Sequence, residues 1–283
     1  MLVTLKEVME VAEKRNCGIA AINTPTFESL VAAISAAEKN TTPIIIQHAQ
    51  SHEYINQIET IGPAMITLAK HVSIPICAHI DHGESIDYLE KGLQLGFSSI
   101  MYDGSRLPYE ENVQKTREAV RLANEFGASV EGELGIMIGN EIGEHTQEVN
   151  EEDNYTDPQL AYKFVKETNI DALAASFGTV HGFYRHKPNL DYKRIKEIAT
   201  LTNLPLVMHG GSGLSSKEYK LSIKNGVKKI NYYTYGAKVG ADATKNCINN
   251  NDAVLFSEIS RYAQDAMEKD FQQIIDVFKS ITE

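Results

Sequence analysis

Eight short runs rich in apolar and β-branched residues, separated by segments of helical period, constrain this chain more than any other feature. The runs are Gly18–Asn23, Pro43–His48, Pro75–Ile80, Ser98–Tyr102, Ala128–Glu133, Ile170–Ser176, Leu204–His209 and Val227–Asn231. Between the first two, Leu30, Val31, Ile34 and Ala37 share one face of a predicted helix. Thr156-Asp157-Pro158 reads as a cap and first-turn proline, and Ser215 with Glu218 as a capping box. Strands alternating with helices at this rhythm predict a parallel sheet. Eight such units predict an α/β fold closed into a single (β/α)₈ TIM barrel. An open doubly wound sheet is the rival, but it would place a glycine-rich turn after its first strand, where Asn23-Thr24-Pro25-Thr26 stands. From about residue 235 to 283 the chain reads as a C-terminal extension of two further helices. No linker divides the 283 residues, so one domain is expected.

Three histidines end apolar runs: His82 in PICAHIDH, His181 in DALAASFGTVH and His209 in PLVMHGGSG. Active sites of such barrels form at the C-terminal ends of the strands. His82, Glu133, His181, His209 and Asn231 are expected there together. Imidazole nitrogens suit zinc, and three protein ligands leave a position open for substrate, so a catalytic rather than a structural metal site is expected. The alternative for each histidine taken singly is a hydrogen-bonded structural residue.

Composition narrows the partners. A net charge of −11 disfavours nucleic acid and anionic membrane surfaces, and no apolar run approaches a membrane span. Three widely separated cysteines fit a reduced, cytoplasmic setting, with Cys77 a small core residue. An anionic small molecule remains a suitable substrate, since backbone amides can hold it locally.

The motifs HIDHG (79–83), FSSIMYDGS (97–105), SVEGELG (129–135), SFGTVHGFY (176–184), LVMHGGSG (206–213) and KKINYYT (228–234) occur in the order seen in a known family. The chain resembles the class II, metal-dependent ketose-bisphosphate aldolases of the fructose/tagatose-bisphosphate type. The resemblance implies reversible cleavage of a ketose phosphate to dihydroxyacetone phosphate and an aldehyde. It also implies one Zn²⁺ on His82, His181 and His209, an accompanying monovalent cation, and a homodimer or homotetramer. Asp81 is then the acid/base at the cleaved bond, and Glu141, in the long 135–155 loop, moves the proton at the carbon of bound dihydroxyacetone phosphate. Asp103 and Glu133 are second-shell or alternative metal contacts. Asn23, Gly182, Arg185, Gly210, Gly211, Ser212, Asn231, Tyr232, Tyr233 and Thr234 are implied to hold substrate and its phosphate.

Some residues depart from the family pattern. Ala49 stands where relatives often have a serine or threonine, and His48, Gln50 and His52 crowd the same stretch; a polar surface turn and an altered pocket are the two readings. Ile138 and Ile142 flank Glu141 where glycine and aspartate are usual. Arg261 aligns with an arginine that grips a distal phosphate in some relatives, with a plain surface arginine as the alternative. Two rival functions are a metal-dependent hydrolase, which would favour an HxH pair on the first strand that is absent, and a non-catalytic sugar-phosphate sensor.

Overall fold

The computed structural model describes residues 1–136, 155–184, 186–250 and 255–279. Eight strands form a closed parallel barrel in sequence order. They are β1 Ile19–Asn23, β2 Ile44–Ala49, β3 Ile76–Gly83, β4 Ser99–Tyr102, β5 Ser129–Leu134, β6 Ala172–Ala175, β7 Leu206–Met208 and β8 Val227–Tyr232. Closure runs through β1 and β8, with Ala21 opposite Asn231. The predicted strands match to within one or two residues, except that β3 extends through Asp81 and His82 to Gly83.

The helices are α1 Leu5–Arg15, α2 Phe27–Lys39, α3 Ile58–His71, α4 Ile86–Leu95, α5 Tyr109–Phe126, α6 Pro158–Thr168, α7 Tyr192–Thr202, α8 Ser216–Asn225, α9 Thr234–Asn250 and α10 Phe256–Lys279. Their ends carry the chemistry the sequence indicated. Asp157 caps α6 ahead of Pro158, and Ser215 and Glu218 close a capping box on α8.

Strand alternation divides the core in two. Ile44, Ile46, Ala78, Ile80 and Ile230 face outward and pack under the helices. Ala21, Ile45, Cys77, Ala172, Ala174 and Val207 face inward at the lower end of the barrel, where Leu5, Val8, Met9 and Ala12 of α1 close it off. That lower half is apolar. Above it the inward positions turn polar, with Gln47, His79, Asp81, Glu131, Glu133, Lys229 and Asn231 all buried. Burying so many polar groups is costly unless they are paired. The switch from apolar to polar along the barrel axis therefore locates the site.

The C-terminal extension is α9 followed by α10. Met267, Phe271, Ile275 and Phe278 form the buried stripe of α10, which lies against α2 and α9. The Gly18 amide at the start of β1 donates to the Phe278 carbonyl at 2.9 Å, tying the last helix to the first strand.

Candidate active site

Asp81 sits at the centre of the polar layer. Its Oδ2 accepts from Asn23 Nδ2 at 2.9 Å and Gln47 Nε2 at 3.0 Å, and its Oδ1 from Asn231 Nδ2 at 3.1 Å. Three amides from β1, β2 and β8 thus offer only donors to a fully buried carboxyl, which selects the ionised form. Burial alone would raise this group, but the surrounding His82, Lys229 and His209 hold it below the ordinary carboxylate range.

By alternation His82 would point out of the barrel, opposite to Asp81. Its φ of 46° lies in the left-handed region, and the β3–β4 register shifts between Ile80 and Gly83. The irregularity turns the imidazole back toward the mouth. This local break, rather than simple strand alternation, places both side chains at the site.

His82 Nδ1 lies 2.8 Å from Asp103 Oδ2, and Asp103 Oδ1 in turn accepts from the Ser105 hydroxyl at 2.6 Å. Burial would raise the Asp103 carboxyl, but His82 and Ser105 hold it well below its usual range. His209 Nε2 lies 2.7 Å from Glu131 Oε1. Each carboxylate accepts from one nitrogen of its imidazole and fixes the tautomer. The remaining nitrogens, His82 Nε2 and His209 Nδ1, face each other at 2.7 Å. With one nitrogen of each ring directed at a carboxylate, the two facing nitrogens are the ones that can act together as ligands to one cation. His181, its ring centroid 5.0 Å from that of His82, completes a group whose ligand nitrogens all lie within 4.8 Å of one another. The residues present therefore fit a metal ion with three imidazole ligands.

His181 is not at a strand end, contrary to expectation, because β6 stops at Ala175. The following loop carries it inward. Gly210 (φ 61°) makes this possible, since a Cβ there would stand 2.3 Å from the Val180 carbonyl oxygen. The glycine after His209 lets the β6 and β7 loops touch, and so brings two of the imidazoles together.

Glu133 is buried beside His82, 3.8 Å from Oε2 to Nδ1. Burial, reinforced by Asp103, raises its carboxyl well above the ordinary range. His82, Asp103 and Glu133 form a second group with metal-ligand spacing.

Sequence reasoning missed Glu131 and Lys229. Lys229 Nζ lies 2.7 Å from Glu131 Oε2, both side chains fully buried. His79 Nδ1 bonds Ser99 Oγ at 2.8 Å, while its Nε2 lies 3.4 Å from Glu131 without a hydrogen bond. Burial pushes its pKa down to about 3, aided by Lys229, so this ring is neutral. The signal was available: period two places Glu131 with Glu133 on β5, and Lys229 with Asn231 on β8.

The predicted phosphate residues divide. His181, Gly182, Gly210, Ser212, Asn231, Tyr233 and Thr234 line one small polar pocket. The Tyr233 amide donates to Ser212 Oγ at 2.9 Å. Tyr232 points outward, donating to Asp270 on α10 at 2.9 Å, and Gly211 packs on Ile230 with its carbonyl accepting from Tyr219; neither lines this pocket. Asn23 belongs to the Asp81 cluster instead. Glu141, Arg185, Ile138 and Ile142 lie outside the described residues.

The surface-turn reading of the β2 end is corrected, since His48 and His52 are both fully buried. His48 faces outward, with Nε2 2.9 Å from the Asn56 carbonyl and Nδ1 3.1 Å from the Tyr88 hydroxyl. Gln50 Oε1 accepts from the Glu84 amide at 2.8 Å. His52 instead packs on the Tyr233 ring at 4.5 Å, and through it reaches the polar pocket.

The class-II fructose-bisphosphate aldolase family model matches residues 3–283. A fructose-bisphosphate aldolase of Staphylococcus aureus (strain N315) is 34% identical over 256 residues, covering 89% of this chain and 88% of that protein. One from Staphylococcus epidermidis (strain ATCC 12228 / FDA PCI 1200) is 33% identical over 256 residues, with the same coverage of 89% and 88%. Among solved structures, the YdjI aldolase of Escherichia coli K12 superposes with a TM-score of 0.87 at 29% identity, covering 98% of this chain and 97% of that one.

Proposed function

From the fact that this chain belongs to the class II fructose-bisphosphate aldolase family, and so is a carbon–carbon lyase, we propose that it reversibly cleaves a 1-phosphorylated ketose to dihydroxyacetone phosphate and an aldehyde. His82, His181 and His209 are proposed to hold one zinc ion. The observation that carries the reading is the convergence of His82 Nε2 and His209 Nδ1, 2.7 Å apart, with His181 beside them. Zinc bound there supplies Lewis-acid polarisation of the substrate's carbonyl and hydroxyl oxygens.

The remaining work falls to the chain's own side chains. Asp81 takes the proton of the hydroxyl at the breaking bond and returns it in condensation. Its amide cage keeps it ionised and aimed. Glu141 is assigned the proton at the carbon of dihydroxyacetone phosphate. Asp103 and Glu131 orient His82 and His209, and Glu133 is the alternative metal contact. The pocket of Gly182, Gly210, Ser212, Asn231, Tyr233 and Thr234, with Arg185, is assigned the C1 phosphate. A monovalent cation near that phosphate belongs to the same reading. No helix among the described residues is long and apolar enough to cross a membrane. A cytoplasmic enzyme of one domain, assembled as a homodimer or homotetramer, is the setting proposed.

Chelation is the direct test. EDTA should abolish release of dihydroxyacetone phosphate and Zn²⁺ should restore it, whereas borohydride with substrate should leave the enzyme active. Lys229 makes the borohydride arm informative, being the one fully buried lysine among the described residues. Substrate-dependent inactivation, with reduced substrate attached to Lys229, would replace the metal reading by a Schiff base.

A further inference from the structure

A cleft of about 340 Å³ opens beside the site, between the loop after β1 and helices α9 and α10. Asn23, which holds Asp81, and Tyr233, which also lines the polar pocket, form its inner wall. The cleft therefore borders both the Asp81 cluster and the polar pocket. Phe256, Ile259, Met267 and Phe271 give it an apolar outer wall.

Its charge is what discriminates among substrates. Glu28 is the single acid among the described lining residues, and none of them is a lysine, arginine or histidine. Glu28 accepts from Ser260 Oγ at 2.6 Å. Arg261, one residue further along α10, is not part of the wall; it is 69% exposed and pairs with Asp265 at 2.9 Å. Outside the described residues Arg185 is the only lysine or arginine in the sequence, and the C1 phosphate has the prior claim on it. A phosphate dianion placed here would lose its hydration beside a carboxylate and an apolar wall, with no cation to replace the water.

Resting on the aldolase reading, we infer that this cleft takes the aldehyde half of the substrate and that this half carries no phosphate. The substrate is then a 1-phosphorylated ketose with an uncharged, partly apolar distal end. In cleavage the carbon–carbon bond breaks, the hydroxyl proton leaves to form the aldehyde carbonyl, and the triose carbon takes up a proton. The step is redox-neutral and needs no co-reactant.

Condensation kinetics test this on the zinc-loaded enzyme, with dihydroxyacetone phosphate and either lactaldehyde, glyceraldehyde or glyceraldehyde 3-phosphate. The expected result is a kcat/KM for an unphosphorylated aldehyde at least about tenfold above that for glyceraldehyde 3-phosphate. Glu28→Lys should move the ratio about tenfold toward the phosphorylated aldehyde. Preference of the wild type for glyceraldehyde 3-phosphate would overturn the inference. Exchange of the dihydroxyacetone phosphate C–H with D₂O, run without aldehyde, separates the two levels of the argument. Exchange without condensation of either unphosphorylated aldehyde refutes the subsite alone. Absence of exchange refutes the aldolase reading and this inference with it.

Discussion

Asp81→Ala should cost about 10²–10⁴-fold in cleavage while the protein keeps its full complement of zinc. The structure separates the two effects. Asp81 belongs to neither group of residues with metal-ligand spacing; its oxygens are taken by Asn23, Gln47 and Asn231. Removing the carboxylate removes the proton acceptor and leaves the imidazoles and their orienting carboxylates in place. Asp81→Asn sharpens the comparison, because it keeps the volume but presents an NH₂ group to amide donors. It should be as inactive as the alanine variant. Steady-state rates and zinc content, measured on the same preparation, decide the matter. A loss below tenfold would remove Asp81 from proton transfer. Loss of zinc would make it a positioning residue for His82.

Lys229→Met should destabilise the fold by about 3–5 kcal/mol, since it leaves the Glu131 carboxylate buried with half its partners gone. Burial alone would raise Glu131, yet Lys229 and His209 hold its pKa down at about 2. A folded-state value below the unfolded one means that this carboxylate's stabilisation is present above its unfolded pKa and is lost as pH falls toward 2. Without the ammonium, the folded-state value rises toward the unfolded one, so the variant, less stable at neutral pH, should lose less further stability than the wild type as pH falls from the unfolded pKa toward 2. Urea unfolding at several pH values reads both effects. The double variant Lys229→Met/Glu131→Leu should recover much of the stability, because two well-packed apolar groups replace a buried pair at little cost. It should still bind zinc about 10–100-fold more weakly, His209 having lost the acceptor that fixes its tautomer. If the single variant is as stable as the wild type, the pair contributes nothing to the fold. If the double variant binds zinc normally, Glu131 does not orient His209.

The barrel was legible because its signal is repeated: eight apolar runs and their capped helices all agree with one closed sheet. Glu133 and Asn231 could be anticipated from their position at the C-terminal ends of strands, whereas Asp81 and Asp103 were implied by the family resemblance. His82 and His181 were found by residue type, although the reasons offered for their placement were incomplete. A left-handed residue within a strand and a loop folded over Gly210 depend on contacts far away in sequence. Lys229 was passed over because it sits in a pair of lysines, and only register says that the second faces inward. The β2 end misled in the opposite sense. Several polar residues in a row resemble a solvated turn, and nothing local indicates that His48 meets Tyr88 or that His52 meets Tyr233.

Barrel closure also sets when metal affinity can arise during synthesis. His82 comes from β3, whereas His181 and His209 follow β6 and β7, 99 and 127 residues later. Until β7 is laid against β8, and β8 against β1, a growing chain presents isolated imidazoles with weak, ordinary affinity for any passing ion. On the proposed metal reading, tight binding belongs to the finished barrel alone, and a bound ion would also stabilise the fold that binds it. On that reading, loss of the ion would therefore lower the stability of the folded chain as well as empty the site.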